Sequence, residues 1–195
     1  MSIPLPADCG SILISEESIQ ERITTLASQI SEHYEKVLKD GEALVLVPIL
    51  TGSYMFAADL SRKLTIPNTV DFLALSSYRG GTRSTGEVKI LMDTRDSVWD
   101  KHVLILEDIV DSGYTLQFLA RHFSTRNPRS LEFCVLLTAP KQKRKVEGYD
   151  NVKWTGFHIG EKFVVGYGLD CAGLYRHLPY IAELTQTAID KFTKK

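Results

Sequence analysis

Residues 103–115 read VLILEDIVDSGYT, and this stretch decides the fold because it joins a strand, an acidic pair and a loop. Its first four residues are apolar and predict a buried parallel strand. Glu107 and Asp108 follow at the predicted carboxyl end of that strand. The polar loop 111–115 then leads into a helical pattern over residues 116–123, so the stretch makes up half of a βα unit.

The acidic pair and the loop lie where α/β proteins bind ligands, since ligands of open sheets sit at the carboxyl ends of the strands. The start of the predicted helix offers unpaired N–H groups, and Ser112 and Thr115 add hydroxyls, which together suit a phosphate. Glu107 and Asp108 can accept hydrogen bonds from a sugar diol or help to hold a divalent cation. A structural role is also open, because many βα loops carry Asp, Ser and Gly only to cap the following helix.

The same stretch resembles the phosphoribosyl-pyrophosphate signature of type I phosphoribosyltransferases. The matching order is a hydrophobic run, two acids, two hydrophobic residues, Asp, Ser or Thr, Gly, any residue and Thr. Flanking segments resemble the hypoxanthine-guanine phosphoribosyltransferases within that family: STG at 84–86, KFVVGY at 162–167, LD at 169–170 and YR at 175–176. The resemblance runs from the helix that starts near Ser15 to the final helix, and so spans nearly the whole chain.

Strand and helix patterns alternate along the chain and predict an α/β fold, with a parallel sheet flanked by helices. Strands are predicted at residues 12–14, 43–49, 69–75, 87–92, 103–106, 131–138, 152–157 and 163–166. Helices are predicted from an N-cap at Ser15 through Val37 to before Gly41, and at residues 54–64, 116–123 and 178–192. We therefore expect one phosphoribosyltransferase domain over residues 1–195. Its parallel-sheet type I core would span about 15–150, and a small hood lobe about 151–177 plus the N-terminal strand.

The composition is that of an ordinary globular enzyme and argues against several other classes. A formal net charge of −1 gives no basic field, so no nucleic-acid partner is expected. The apolar runs are too short for a membrane span, and no signal peptide is evident. The three cysteines, Cys9, Cys134 and Cys171, fit neither a zinc pattern nor a disulfide framework, and Cys134 lies in an apolar run typical of the core. This cysteine usage predicts a reducing, cytoplasmic location.

The resemblance implies transfer of a 5-phosphoribosyl group from phosphoribosyl pyrophosphate (PRPP) to a purine nitrogen, with Mg²⁺ as the cofactor. It implies that Asp111 is the catalytic base and that Glu107 and Asp108 hold the ribose hydroxyls. The predicted metal-binding residues are Glu107, Asp108 and Asp170. The 5′-phosphate is expected on the amides of the loop, and the predicted substrate-binding residues there are Ile109, Val110, Asp111, Ser112, Gly113, Tyr114 and Thr115.

Pyrophosphate is predicted at the turn that follows the second strand. The resemblance implies contacts from Leu50, Thr51 and Gly52, with a non-proline cis peptide between Leu50 and Thr51. Many family members carry lysine where this chain has Thr51, so a positive contact is expected to be missing. Arg176 is predicted to meet pyrophosphate as well, because its planar guanidinium offers several donors.

Residues 76–86 are long, polar and rich in glycine, which is typical of a functional or mobile loop. The resemblance implies a lid that closes over the reacting centre, with Ser77 and Tyr78 at its tip contacting the substrate.

The purine is predicted to bind in the hood, where the resemblance implies that Phe163 stacks on the base and that the backbone of Val164 contacts its edge. Lys162 is expected to border the base. The family also has a lysine, just after the strand at 131–138, that donates to the purine 6-oxygen. Aligned forwards from the strand, that position is Ala139; aligned backwards from residues 148–149, it is Lys141. We favour Lys141, because a small insertion in a loop costs little free energy.

The resemblance implies a purine salvage enzyme that makes IMP or GMP, with PRPP and a 6-oxopurine base as its ligands and a dimer or tetramer of the chain as its assembly. Two alternatives stay open. One is a phosphoribosyltransferase that prefers xanthine. The other is a PRPP-sensing regulator on the same fold that touches nucleic acid through the basic run 141–145, which is otherwise expected to be a solvated face.

Overall fold

The computed structural model describes residues 3–77, 88–140 and 152–193. In chain order its elements are β1 (Cys9–Ile14), α1 (Glu16–Glu35), β2 (Leu44–Leu50), α2 (Tyr54–Lys63), β3 (Asn68–Val70), β4 (Leu73–Ser77), β5 (Val88–Met92), β6 (His102–Val110), α3 (Tyr114–Ser124), β7 (Ser130–Thr138), β8 (Val152–His158), β9 (Val164–Val165), β10 (Ile181–Leu184) and α4 (Gln186–Thr193). Within those described stretches, no helix has both the length and the apolar character that a membrane crossing needs.

A larger sheet forms the body of the protein and confirms the predicted parallel α/β core. Its strand order is β5-β4-β2-β6-β7-β8, with β3 also pairing with β2. The pairs are parallel except that of β4 with β5, which is antiparallel. β6 lies between β2 and β7, so the stretch that opened the sequence analysis forms a central strand.

The side chains of β6 alternate between two hydrophobic clusters, as the period of two in a strand requires. Leu104 and Leu106 are fully buried in a cluster that also contains residues of α1 and α2. Val103 and Ile105 are fully buried in a second cluster with residues of α3. The helices therefore cover both faces of the sheet, and the carboxyl edge is left for the loops.

Helix α1 begins where the sequence predicts but ends earlier. The Ser15 hydroxyl accepts a hydrogen bond from the backbone N–H of Ser18 at 3.2 Å, which caps the first turn. The predicted apolar positions of this helix are buried: Ile19, Ile23, Leu26 and Ile30. The predicted continuation through Val37 is wrong, because the helix ends at Glu35 and the Val37 side chain is exposed.

A second, antiparallel sheet has three strands in the order β1-β10-β9, and so joins strands from near both ends of the chain. The predicted closing helix at 178–192 is wrong in its first half, because Ile181–Leu184 form β10 and only Gln186–Thr193 are helical. Ala182 pairs with Ile12 on one side and with Val165 on the other. These strand partners are distant in sequence, and they override the helical spacing of the apolar residues.

One further strand boundary and the membership of one sheet also differ from the prediction. The strand at 69–75 is two short strands, Asn68–Val70 and Leu73–Ser77, and between them Asp71 donates its N–H to the carbonyl of Leu46 at 3.0 Å. β8 pairs with β7 in the larger sheet. The second sheet includes the N-terminal strand β1, as the predicted hood did, but it takes up β10, which lies outside the predicted range of about 151–177.

Candidate functional site

The carboxyl ends of the parallel strands border two cavities. The larger, of about 540 Å³, is lined by Asp108, Ile109, Asp111, Ala139, Ile159, Gly160, Glu161, Lys162, Phe163, Val164, Leu169, Asp170 and Ile189. The smaller, of about 100 Å³, is lined by Glu107, Ile109, Val110, Asp111, Ser112, Gly113, Thr115 and Leu116. Ile109 and Asp111 line both, so the two cavities adjoin at the end of β6.

The acidic pair lies inside β6 rather than beyond it, which corrects the prediction that the two acids follow the end of the strand. The strand continues to Val110, and the Glu107 residue is only 7 % exposed. Successive side chains of a strand point to opposite faces. Glu107 accordingly lines the smaller cavity and Asp108 the larger one.

Both carboxyls are less acidic than usual. Burial, followed by the neighbouring charge of Asp108, raises the pKa of Glu107 well above its ordinary range. Among the described residues, Oε2 of Glu107 is buried without a hydrogen-bond partner. Burial likewise raises the pKa of Asp108 to about 6, although Arg176 opposes the rise. Hydroxyl donors or a cation would satisfy these oxygens, so the pair is suited to bind either.

The loop after β6 forms the wall of the smaller cavity and the start of α3. The N-cap position is Gly113, with φ +88°, and glycine has no side chain to bond the first-turn amides. Asp111 is therefore not the N-cap residue of α3. The amino end of a helix, with two hydroxyl residues at hand, suits a phosphate.

The turn after β2 packs directly against Asp108. The peptide bond between Leu50 and Thr51 is cis, as the resemblance implied. A Cβ added to Gly52 would lie 1.6 Å from Oδ2 of Asp108, so only glycine fits this position. Ser53 is buried and its hydroxyl donates to the carbonyl of Ile49 at 2.8 Å, which fixes the turn at the start of α2.

A hairpin over residues 166–178 brings two more predicted site residues together. Arg176 forms an ion pair with Asp170 at 2.6 Å and donates to the carbonyl of Gly168 at 2.5 Å. Asp170 also accepts the N–H of Gly173 at 2.7 Å, and it lines the larger cavity. A Cβ on Gly168 would lie 2.0 Å from the carbonyl oxygen of Gly52, so the hairpin touches the turn after β2.

The three predicted metal-binding carboxylates do not form a metal site by themselves. In the parts of the chain that the structure describes, no group of three or more His, Cys, Asp or Glu side chains could hold a metal ion. Glu107 and Asp108 lie on opposite faces of β6, which separates the trio.

The other end of the larger cavity contains the predicted base-binding residues. Phe163 is 40 % exposed and lines the cavity, and Val164 beside it is buried in β9. The Lys162 ammonium pairs with the Glu183 carboxylate at 2.6 Å. Ala139 also lines the cavity, and its N–H donates to the carbonyl of Val110 at 2.9 Å.

Three predicted positions cannot be assigned a contact. Tyr78 and Lys141 lie outside the described residues, and so do residues 78–86 of the predicted lid. Ser77 is the last residue of β4, so its backbone lies at the edge strands of the larger sheet. The reading of the 6-oxygen by Lys141 stays a prediction.

Several cavity residues were missed by the sequence analysis. Ile159, Gly160 and Glu161 follow β8, and Leu169 and Ile189 complete the wall. The first three could have been found, because β8 ends at the same sheet edge as β6 and the residues after it belong to the ligand edge. Ile189 could not, because nothing in the sequence indicates that this part of the final helix packs beside the sheet edge.

Comparison with known proteins gives consistent matches. Residues 13–171 match the family described as Phosphoribosyl transferase domain. The chain is 45 % identical to the hypoxanthine-guanine phosphoribosyltransferase of Dictyostelium discoideum, over 92 % of this chain and 98 % of that protein. It is 44 % identical to the hypoxanthine phosphoribosyltransferase of Salmonella typhimurium, over 89 % and 94 % respectively.

Solved structures agree with these matches. The Trypanosoma cruzi hypoxanthine phosphoribosyltransferase in complex with the product IMP is 39 % identical, with a TM-score of 0.86 over 95 % of this chain and 99 % of that one. A second structure of the T. cruzi enzyme, from work on how its C-terminal region affects oligomeric state and activity, has a TM-score of 0.89 at 38 % identity. It covers 97 % of this chain and 98 % of its own.

Proposed function

The chain belongs to the phosphoribosyltransferase family, and we infer that it is a purine salvage enzyme that transfers the 5-phosphoribosyl group of PRPP to hypoxanthine or guanine. The products are IMP or GMP and pyrophosphate. The relatives with 44–45 % identity carry this activity in their names, and they are covered almost completely by the match.

The observation that carries this proposal is the pair of adjoining cavities at the end of β6. The smaller has the helix start and hydroxyls that suit the 5′-phosphate, and the larger is lined by the partly exposed aromatic side chain of Phe163, which suits a purine. Asp111 and Ile109 line both cavities. A ribose that bridges the two would thus have its anomeric carbon near Asp111.

In the proposed reaction, the bond between the anomeric carbon and the pyrophosphate oxygen breaks, and a bond from that carbon to an imidazole nitrogen of the purine forms. The electron pair of the broken bond leaves with pyrophosphate, and the proton of the purine nitrogen passes to the Asp111 carboxylate. General base assistance of this kind contributes about 10²–10⁴-fold to a rate. Asp108 and Glu107 accept hydrogen bonds from the ribose hydroxyls and favour positive charge on the ring.

The acidic residues fit a magnesium ion that is shared with the substrate. Mg²⁺ commonly binds through one or two carboxylates plus substrate phosphates and keeps several waters. Asp108 and Asp170 line the larger cavity, and a cation there would offset the burial that raises the pKa of Asp108. When bound, Mg²⁺ neutralises charge on the departing pyrophosphate. Arg176 and residues 50–53 would hold the same group through guanidinium and backbone donors.

A base panel tests the proposal. Pyrophosphate release is measured with PRPP and each of hypoxanthine, guanine, xanthine, adenine and uracil, with Mg²⁺ and after chelation. Turnover with hypoxanthine or guanine that stops on chelation is expected. Turnover with xanthine alone would favour the xanthine-preferring alternative, and salt-sensitive RNA binding without any turnover would contradict an enzymatic role.

We also propose a homo-oligomer, a dimer or tetramer, acting in the cytoplasm. Support for a reducing compartment comes from Cys9, Cys134 and Cys171, which are buried as free thiols. Light scattering coupled to size exclusion would measure the mass of the assembly, and a monomer across the working concentration range would contradict this proposal.

A further inference from the structure

The hairpin that carries Asp170 and Arg176 is attached to the body of the protein by a contact that the reaction itself does not use. Tyr167 lies at the base of this hairpin and is 3 % exposed. Its hydroxyl donates to Oδ2 of Asp59 at 2.5 Å. Asp59 belongs to α2, the helix that follows the pyrophosphate-facing turn at 50–53.

Asp59 is held ready to accept this hydrogen bond. Gln20 of α1 donates to the same carboxylate at 2.7 Å, and Arg62 pairs with its other oxygen. Burial alone would raise the pKa of Asp59, but the hydrogen bonds from Tyr167, Gln20 and Arg62 outweigh it and lower the pKa. The carboxylate is therefore charged at neutral pH, and hydrogen bonds to charged groups are among the stronger ones.

Gly168, the residue after Tyr167, packs against the turn of residues 50–53. The Tyr167 N–H donates to the carbonyl of Leu178 at 2.8 Å, and the Gly168 N–H donates to that of Arg176 at 3.0 Å. Gly168 has φ +98° and approaches the carbonyl oxygen of Gly52 so closely that a Cβ would lie 2.0 Å from it. Gly52 in turn packs on Asp108, so contacts run without a gap from α2 through the hairpin and the turn to β6.

We propose that Tyr167 and Asp59 are positioning residues, which hold the hairpin of residues 166–178 in register with the turn of residues 50–53 so that both can bind the pyrophosphate end of PRPP. The inference rests on the proposed function for its ligand. Without the Tyr167 hydroxyl, Gly168 can withdraw from Gly52, and Arg176 moves with it. Purine binding depends on residues at the other end of the larger cavity and is not expected to change.

Tyr167→Phe removes one hydroxyl and keeps the ring. We expect it to raise the Kd for PRPP with Mg²⁺, measured by calorimetry, by about tenfold, because the lost bond is to a charged acceptor. The KM for hypoxanthine at saturating PRPP is expected to change by less than about twofold. Asp59→Asn keeps an acceptor oxygen for the Tyr167 hydroxyl, so we expect a smaller rise.

Tyr34→Phe is the matched control. Tyr34 is a second buried tyrosine, and its hydroxyl donates to the Glu132 carboxylate at 2.7 Å, near the amino ends of the strands and away from the site. Both variants should lower the melting temperature, but only Tyr167→Phe should weaken PRPP binding. Equal PRPP binding by Tyr167→Phe and wild type, or equal weakening by Tyr34→Phe, would overturn the positioning role.

Two further measurements keep the test decisive. If Tyr167→Phe does not fold, Asp59→Ala, which removes both acceptor oxygens, is compared with Tyr34→Phe, and unchanged PRPP binding by Asp59→Ala then overturns the role. Amide hydrogen exchange in the ligand-free protein needs no activity. The N–H groups of Ser53 and Gly168, which donate to the carbonyls of Ile49 and Arg176, should exchange faster in Tyr167→Phe than in wild type, and unchanged exchange would overturn the role. Absence of turnover by wild type would instead overturn the proposed function.

Discussion

Asp108 is expected to destabilise the ligand-free protein at neutral pH, and Asp108→Asn should remove that cost. Burial raises the pKa of Asp108 from 3.8 to about 6 in the folded protein. The folded state therefore binds the proton more tightly than the unfolded chain. This contribution to stability is complete below about pH 4 and is lost as the pH rises through about 6. Since a tenfold difference in proton affinity equals about 1.4 kcal/mol, the full loss is about 3 kcal/mol.

Asparagine has nearly the same shape and carries no charge. Its side-chain oxygen can still accept the N–H of Ile109, which Asp108 accepts at 2.9 Å. The Asp108→Asn protein should thus be more stable than wild type by up to about 3 kcal/mol at about pH 7.5, and by nearly nothing at about pH 4. Urea unfolding of both proteins at closely spaced pH values between these limits measures the difference.

Asp59→Asn provides a control of opposite sign. The pKa of Asp59 is lowered in the folded protein, so its charge stabilises at neutral pH, and that stability is lost as the pH falls through the folded value. A stability difference for Asp108→Asn that does not change with pH, or a variant less stable than wild type at neutral pH, would refute the reasoning. The stabilised variant should turn over more slowly, because the same charge serves the ribose and the cation.

Three other predictions concern single side chains. Asp111→Asn should slow single-turnover chemistry by about 10²–10⁴-fold while calorimetry still detects PRPP binding, and an unchanged chemical rate would exclude the general-base role. Gly168→Ala should weaken PRPP binding at least as much as Tyr167→Phe, because the new methyl would meet a backbone carbonyl at 2.0 Å; unaltered calorimetry would contradict the close contact. Lys141→Ala should raise the KM for hypoxanthine more than that for PRPP, since the ammonium donates a hydrogen bond to the purine 6-oxygen. Lys145→Ala is the control for a solvated charge, and wild-type kinetics in both variants would favour the alignment that places this position at Ala139.

Local chemistry made the centre of the molecule predictable. The apolar run of β6, its two acids and the loop before α3 are contiguous, so their order along the chain is also their order in space. The cis peptide at Leu50–Thr51 was implied by resemblance rather than by any residue type. The N-terminal helix could be placed because its cap at Ser15, the acids Glu16 and Glu17 in its first turn, and the spacing of its apolar residues all agree.

Contacts between segments that are distant along the chain could not be predicted from the sequence. Tyr167 and Asp59 are 108 positions apart, and nothing near either one indicates the other. The strand at Ile181–Leu184 was predicted as helix because its apolar residues also suit helical spacing. Only its pairing with β1 and β9 decides between the two, and short apolar runs cannot be assigned by periodicity alone.

The acidic pair shows how a strand's period changes a functional prediction. Because Glu107 and Asp108 are adjacent in sequence, they suggest two carboxylates that bind one ribose diol from the same side. In β6 they leave the strand on opposite faces, Glu107 towards the smaller cavity and Asp108 towards the larger. One ribose can meet both only if it lies across the end of the strand, with its phosphate on one side and its base on the other. That position is also where Asp111 borders both cavities, so the strand's alternation would itself separate the two ends of the substrate.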